Sequence, residues 1–176
     1  MMIVITGGPS VGKSTLLNEL QKIGFTVVPE QATEVIKEGK ILPWENRDGF
    51  QREVLRRQLE AEEPFHNSKE IVFVDRGVFD GEAYYQCDGI EPPSVFKELS
   101  AMQYSRVLLL EPLGVFVHDG IRFEDMNFTV RITQVLHDVY SKRGFEVIRI
   151  PAETVSRRMH LALSSIGEPS RALSYV

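Results

Sequence analysis

The chain has 176 residues, 43% hydrophobic and 26% charged, a balance that excludes intrinsic disorder as the main state and suits one domain with its own core. A formal net charge of -5 and a pI of about 5.4 argue against a protein that coats nucleic acid or anionic membrane. The single cysteine, Cys87, excludes an intrachain disulfide and a cysteine-based zinc site, as expected of a chain in a reducing cytosol.

Ile3-Val-Ile-Thr6, halted by Gly7-Gly8-Pro9, predicts a buried strand, and glycine follows the opening residues too soon for a signal peptide. Leu16, Leu17, Leu20 and Ile23 predict a helix over Thr15–Lys22 that Gly24 ends. Phe25–Val28 reads as a second strand, closed by Pro29-Glu30. Helices follow over Gln31–Lys40 and Asn46–Glu63, joined by the irregular Ile41–Trp44 and stopped by Pro64. Ile71–Asp75 is an uninterrupted third strand and so a central one. A helical turn begins over Asp80–Tyr85, Cys87–Pro93 is a loop, and Ser94–Gln103 a helix. Arg106–Leu110 is the fourth strand, ended by Glu111-Pro112. Residues 114–125 lack any period and read as a mobile loop with His118, Asp119, Gly120 and Arg122. Ile132, Val135, Leu136 and Val139 mark a helix ended by Gly144, and Phe145–Ile150 is the fifth strand. Val155, Met159, Ala162, Leu163 and Ile166 mark the last helix, and the polar tail over 168–176 is expected to be loose. No stretch is apolar for the roughly 20 residues that a bilayer span needs.

Strands alternate with helices five times, without repeat or linker. That predicts a single α/β domain over 1–167, with helices on both faces of a mostly parallel sheet. Ligands of such sheets lie at the carboxyl ends of the strands. The residues to weigh are therefore Gly7–Thr15, Glu30, Asp75–Asp80, Glu111 and Pro151.

Gly7-Gly8-Pro9-Ser10-Val11-Gly12-Lys13-Ser14 fits G-x-x-x-x-G-K-[ST] at every fixed position, with Thr15 next. A strand precedes it and a helix follows. Glycines let backbone N–H groups turn inward around phosphate oxygens, and the helix N-terminus adds its dipole. Lys13 is expected to reach the terminal phosphates of ATP and Ser14 to ligate Mg²⁺. Asp75, at the tip of an apolar strand, is a second metal holder or the base for an attacking hydroxyl. Arg76 suits an oxyanion of substrate or phosphate, or else a salt bridge.

With these motifs, Pro29-Glu30, Val74–Asp80, Asp119–Asp125, Tyr140 through Pro151, and Arg157-Arg158, nearly the whole chain resembles the P-loop kinase-like NTPases. It is most similar to small bacterial predicted ATPases with an AAA-type label that look like ribosylnicotinamide kinase domains. The resemblance implies a five-stranded parallel sheet in the order 2-3-1-4-5. It implies that Glu30 serves as general base, in competition with Asp75, and that Asp80 binds acceptor hydroxyls, unless Asp80 is only a helix N-cap. It puts adenine beside Arg157 or Arg158.

A lid over 118–125 would close Arg122 onto the transferring phosphoryl. Its alternative is a surface charge, and a single lid arginine is fewer than a fast kinase would carry. Trp44, Phe50, Tyr84 and Tyr85 could wall an aromatic acceptor pocket or serve as packing. Gln51 and Gln58 share a helix face and either read a base edge or are solvated. Arg52, Arg56 and Arg57 interleave with Glu53 and Glu60 as ion pairs of an exposed helix. The four histidines show no metal spacing. The expected function is a cytoplasmic phosphotransferase that moves the γ-phosphoryl of Mg-ATP to a small hydroxylated acceptor, a nucleoside or nucleotide-like molecule, with no nucleic-acid or membrane partner. The alternative is a nucleotide-binding regulatory ATPase module with slow hydrolysis. A GTPase lacks its Asn-Lys-x-Asp signature here, and an AAA+ motor lacks room for its helical lid domain. Oligomeric state is left open.

Overall fold

The computed structural model describes residues 1–99, 104–113, 126–169 and 171. Five strands alternate with helices: β1 Met2–Thr6, α1 Lys13–Lys22, β2 Thr26–Val28, α2 Gln31–Glu38, α3 Arg47–Glu62, β3 Val72–Asp75, α4 Asp80–Cys87, α5 Val95–Glu98, β4 Arg106–Leu110, α6 Met126–Lys142, β5 Val147–Ile150 and α7 Val155–Ser165. The sheet order is β2-β3-β1-β4-β5. Each neighbouring pair is parallel, with Ile3 opposite Phe73 on one side of β1 and Arg106 on the other.

Because side chains alternate along a strand, β1 feeds two cores. Val4 points to the layer where Val74, Leu109, Phe79, Ile132 and Leu136 meet. Ile3 and Ile5 point to the opposite layer, with Phe73, Leu108, Leu16, Leu20, Met159 and Leu163. Both faces of the sheet are covered, which is why its strands are near-continuous apolar runs.

The element boundaries shift where capping overrides periodicity. Helix α1 starts at Lys13, because Gly12 at φ 89° hands the phosphate loop straight into the helix. Helix α3 is capped by Asn46, whose side chain accepts from the Gly49 N–H. Helix α5 covers only Val95–Glu98, since Leu99 turns extended at ψ 130°. The rest of the helix expected over 94–103 falls partly outside the described residues. So does most of the expected loose tail, although Arg171 lies with its guanidinium 4.5 Å from the Phe25 ring centroid. No helix among the described residues is long and apolar enough to cross a membrane.

Gly77, in the turn between β3 and α4, sits where three groups converge. A Cβ there would lie 2.6 Å from the Tyr140 hydroxyl and 2.9 Å from both the Tyr104 hydroxyl and Val4 Cγ2. Gly77→Ala is expected to destabilise the fold by about 2 kcal/mol or more through overpacking. Gly89→Ala, at φ 71° with nothing within 4 Å of the added carbon, is expected to cost only about 1 kcal/mol. Urea unfolding of the two variants checks the contrast.

Candidate active site

The tips of β1, β2 and β3 and the start of α1 converge on one region. The loop after β1 curls with Gly7 at φ 142° and Ser10, a non-glycine, in the left-handed region at φ 57°. It leans on α6: a Cβ on Gly8 would fall 2.7 Å from Thr129 Cγ2. The Gly8 N–H donates to Thr133 Oγ1 at 3.3 Å. The buried Lys13 ammonium donates to the carbonyls of Gly7 and Gly8, at 3.1 and 2.7 Å, and so closes over its own loop. Ser14 and Thr15 are exposed at the head of α1.

Asp75 ends β3 beside this loop. Its Oδ1 is the buried side-chain polar atom without a hydrogen bond among the described residues. Burial raises its pKa to about 6, against the pull of Lys13 and with the push of Glu30. An orphaned buried carboxylate oxygen beside a phosphate-binding loop is what a hydrated Mg²⁺ would complete, and the exposed Ser14 hydroxyl suits the same hard cation. No group of three or more acidic, histidine or cysteine side chains able to hold a metal occurs among the described residues. Mg²⁺ needs none, because it keeps several waters and takes one or two protein ligands.

Arg76, the next residue, adopts φ 63°. Its Nε donates to Glu30 Oε1 at 2.5 Å, and one terminal nitrogen donates to the Gly7 carbonyl and to Asp80 Oδ2, both at 3.2 Å. Thr33 Oγ1 donates to Glu30 Oε2 at 2.6 Å. The salt-bridge reading of Arg76 therefore describes its resting contacts. Asp80 is buried and is the first residue of α4 rather than its cap, a place that Phe79 holds. Its carboxylate accepts from Thr6 Oγ1, Tyr140 Oη, Arg76 and the Gly77 N–H. Four donors fill the acceptor sites of one carboxylate.

A cavity of about 360 Å³ opens beside Glu30 and Arg76. Its walls include Trp44, Arg47, Phe50, Gln51, Tyr84, Asp88 and Phe128. Trp44 stands at the surface, 57% exposed. Tyr85 is not in the wall: it is buried in the core and its hydroxyl donates to Asp48. Gln51 and Gln58 both line the cavity and are buried, so the solvated reading of them is corrected. The Gln58 amide donates to Glu62 Oε1 at 2.7 Å. The Gln51 amide has no hydrogen-bond partner among the described residues. Their helix buries one face under α2 and α4, and the expected pairs of Arg56 and Arg57 with Glu53 and of Arg56 with Glu60 occupy its outer face.

Sequence reasoning missed Glu62, which periodicity marks only as a charge near the end of α3. It is fully buried and accepts from the Tyr104 hydroxyl at 2.8 Å. Tyr104 in turn accepts from the Val78 N–H at 2.8 Å. Glu62 and Asp80 thus brace the turn after β3 from below, through Tyr104 and Tyr140.

Arg158 was expected near adenine. Its guanidinium donates to the carbonyls of Val11, Pro151 and Glu111, at 2.5, 2.8 and 2.7 Å. It ties the phosphate loop to the ends of β4 and β5. Arg157 is exposed. Arg122 and the expected lid over 118–125 lie outside the described residues.

A parallel sheet of this order, with a phosphate loop after its first strand, is the P-loop nucleoside and nucleotide kinase-like fold. Residues 2–158 match the model of a family described as AAA domain, and the chain belongs to that family. No curated protein matches the chain. Among solved structures it is similar to deoxyadenosine kinase from M. mycoides, with products dCMP and dCDP bound, at 14% identity and a TM-score of 0.69, covering 95% of this chain and 99% of that one. It is similar to NadR protein in complex with NAD and AMP-PNP, at 18% identity and a TM-score of 0.71, over 96% of this chain and 49% of that one. It is also similar to thymidylate kinase from Ehrlichia chaffeensis, at 15% identity and a TM-score of 0.64, over 95% and 98% of the two chains.

The buried Glu62 sets a pH dependence. Burial raises its pKa from 4.5 to about 7, against the hydrogen bonds from Gln58 and Tyr104. A carboxyl raised in the folded state contributes stability that is complete below its ordinary pKa and lost as pH rises through the folded one. Stability is expected to fall between about pH 5 and about pH 8, by on the order of 2 kcal/mol from this group. Glu62→Gln should flatten that slope and be the more stable chain at the alkaline end, as urea titrations across the range would read.

Proposed function

We propose that the chain is a P-loop phosphotransferase, with Mg-ATP as donor and a small hydroxylated acceptor in the cavity beside Glu30. The observation that carries this is a built pocket for a second substrate. An aromatic-walled cavity ends at a carboxylate and a guanidinium, and these adjoin the phosphate loop through the Arg76 contact with the Gly7 carbonyl. A module that only bound and hydrolysed ATP would have no need of it.

In the proposed reaction the backbone from Gly7 to Ser14 holds the phosphate chain, and Lys13 leaves the loop carbonyls for the β- and γ-phosphates. Asp75 and Ser14 would hold a Mg²⁺, whose charge would offset that of the phosphates. The acceptor oxygen forms a bond to the γ-phosphorus, the bond from that phosphorus to the β,γ-bridging oxygen breaks, and ADP departs. The hydroxyl proton passes to the Glu30 carboxylate. Glu30 lines the cavity and Asp75 does not, which supports Glu30 as the base and Asp75 as the metal holder. Arg76 orients Glu30 and faces the transferring group, and Arg122 is assigned to the closing segment. Arg158 serves the nucleotide by fixing the Val11 carbonyl and hence the loop, rather than by touching the base. Asp80 serves the acceptor indirectly, by holding Arg76, and Trp44 edges the acceptor's entrance.

Lys13→Ala is expected to abolish ADP formation while the circular dichroism spectrum stays that of the parent. Glu30→Gln is expected to lower kcat about 100-fold or more, the usual worth of a general base, with Mg-ATP affinity within about threefold. Full turnover in the first variant, or collapse of ATP affinity in the second, would overturn the assignments. Acceptor-stimulated ADP release separates a kinase from a slow regulatory ATPase, whose rate no acceptor would change.

A further inference from the structure

We infer that the acceptor enters this cavity without a phosphate group: it is an unphosphorylated nucleoside-like molecule, a neutral or cationic ring carrying a hydroxyl, and not a nucleoside monophosphate. The inference rests on the phosphotransferase reading and specifies its second substrate.

The charge of the walls carries it. Among the described residues the cavity is lined by two guanidinium groups, Arg47 and Arg76, and three carboxylates, Glu30, Asp80 and Asp88. The formal balance is one negative charge. Both cations are also engaged. Arg76 donates its Nε to Glu30 and a terminal nitrogen to Asp80. Arg47 donates its Nε to Asp88 Oδ2 at 2.6 Å. A phosphate is gripped best by the paired nitrogens of an open guanidinium fork, and here the Nε side of each fork already holds a carboxylate. An acceptor phosphate would bring about two negative charges into a wall already negative, beside the triphosphate of the donor. Like charges in a sheltered site repel strongly.

The remaining surface suits an uncharged or cationic ring. Both arginines lean on Tyr84, with guanidinium carbons 5.8 and 5.5 Å from its ring centroid, and Phe128 lies 6.0 Å from the same ring. Gln51 lines the same wall, and its amide has no hydrogen-bond partner among the described residues. A ring edge with one donor and one acceptor would match such an amide.

The test uses the full chain with Mg-ATP and an acceptor panel: adenosine, guanosine, cytidine, thymidine and a pyridinium riboside, each against its own 5′-monophosphate. ADP release measures transfer. Fluorescence of the single tryptophan, Trp44, at the cavity mouth measures occupancy. One nucleoside is expected to stimulate ADP release with a kcat/KM at least about tenfold above that of its monophosphate, the scale of an uncompensated like-charge contact. Asp88→Asn releases the partner of Arg47 and should narrow that gap by about tenfold. A monophosphate that equals or exceeds its nucleoside would overturn the inference and leave the phosphotransferase reading standing, as would a gap unchanged in Asp88→Asn. If Mg-ATP binds but no compound of either kind changes Trp44 fluorescence or ADP release, the phosphotransferase reading falls and the inference with it.

Discussion

One guanidinium joins the tips of three strands. Arg76 leaves β3 in a left-handed conformation and reaches the carbonyl of Gly7 after β1, the carboxylate of Glu30 after β2 and the carboxylate of Asp80 at the head of α4. The left-handed backbone is held in place by the partners that a buried charge needs. The contact holds the phosphate loop and the cavity beside Glu30 at a fixed spacing. Phosphoryl transfer depends mainly on such spacing, since the protein does little covalent work of its own.

Beneath this contact lies a polar layer that a purely apolar core would not need. Asp80 meets Thr6 and Tyr140, and Glu62 meets Tyr104 and Gln58. Every oxygen of the two carboxylates is hydrogen-bonded, which limits the cost of burying them. The layer makes the turn after β3 rigid from both sides: Tyr104 receives the Val78 N–H, and Gly77 is squeezed between the two tyrosine hydroxyls. On the other flank Arg158 does the same for the phosphate loop through three backbone carbonyls. Asp80 and Arg158, expected from the sequence at a ligand, are hydrogen-bonded to groups of the fold that shape these turns.

Membership in the AAA domain family accounts for the phosphate cradle and the sheet order. It does not account for the cavity beside Glu30, because function resides in a site grafted onto a widely shared fold. Much of the cavity wall comes from α2, α3 and α4, with Trp44, the turn after β3 and Phe128 of α6 completing it. Aromatic rings, the buried glutamines Gln51 and Gln58 and an excess of one carboxylate are therefore properties of this chain's own residues.

The sequence alone determined what local periodicity and short motifs encode. Five apolar runs of strand length, the glycine-lysine loop after the first of them, and Asp75 at a strand tip were legible because each signal lies within about ten residues. The sheet order came from family likeness, since periodicity does not rank strands. Only the tertiary structure decided how the polar residues are used. Asp80 and Arg158 match ligand-binding positions in sequence, yet their partners, Tyr140 and the Val11 carbonyl, are 60 and 147 residues away. Gln51 and Gln58 read as base-edge readers or solvated side chains, and Glu62 carried no sequence signal, until packing buried all three. Burial and hydrogen-bond saturation are set by contacts between distant segments, and a chain read residue by residue carries no record of which segments meet.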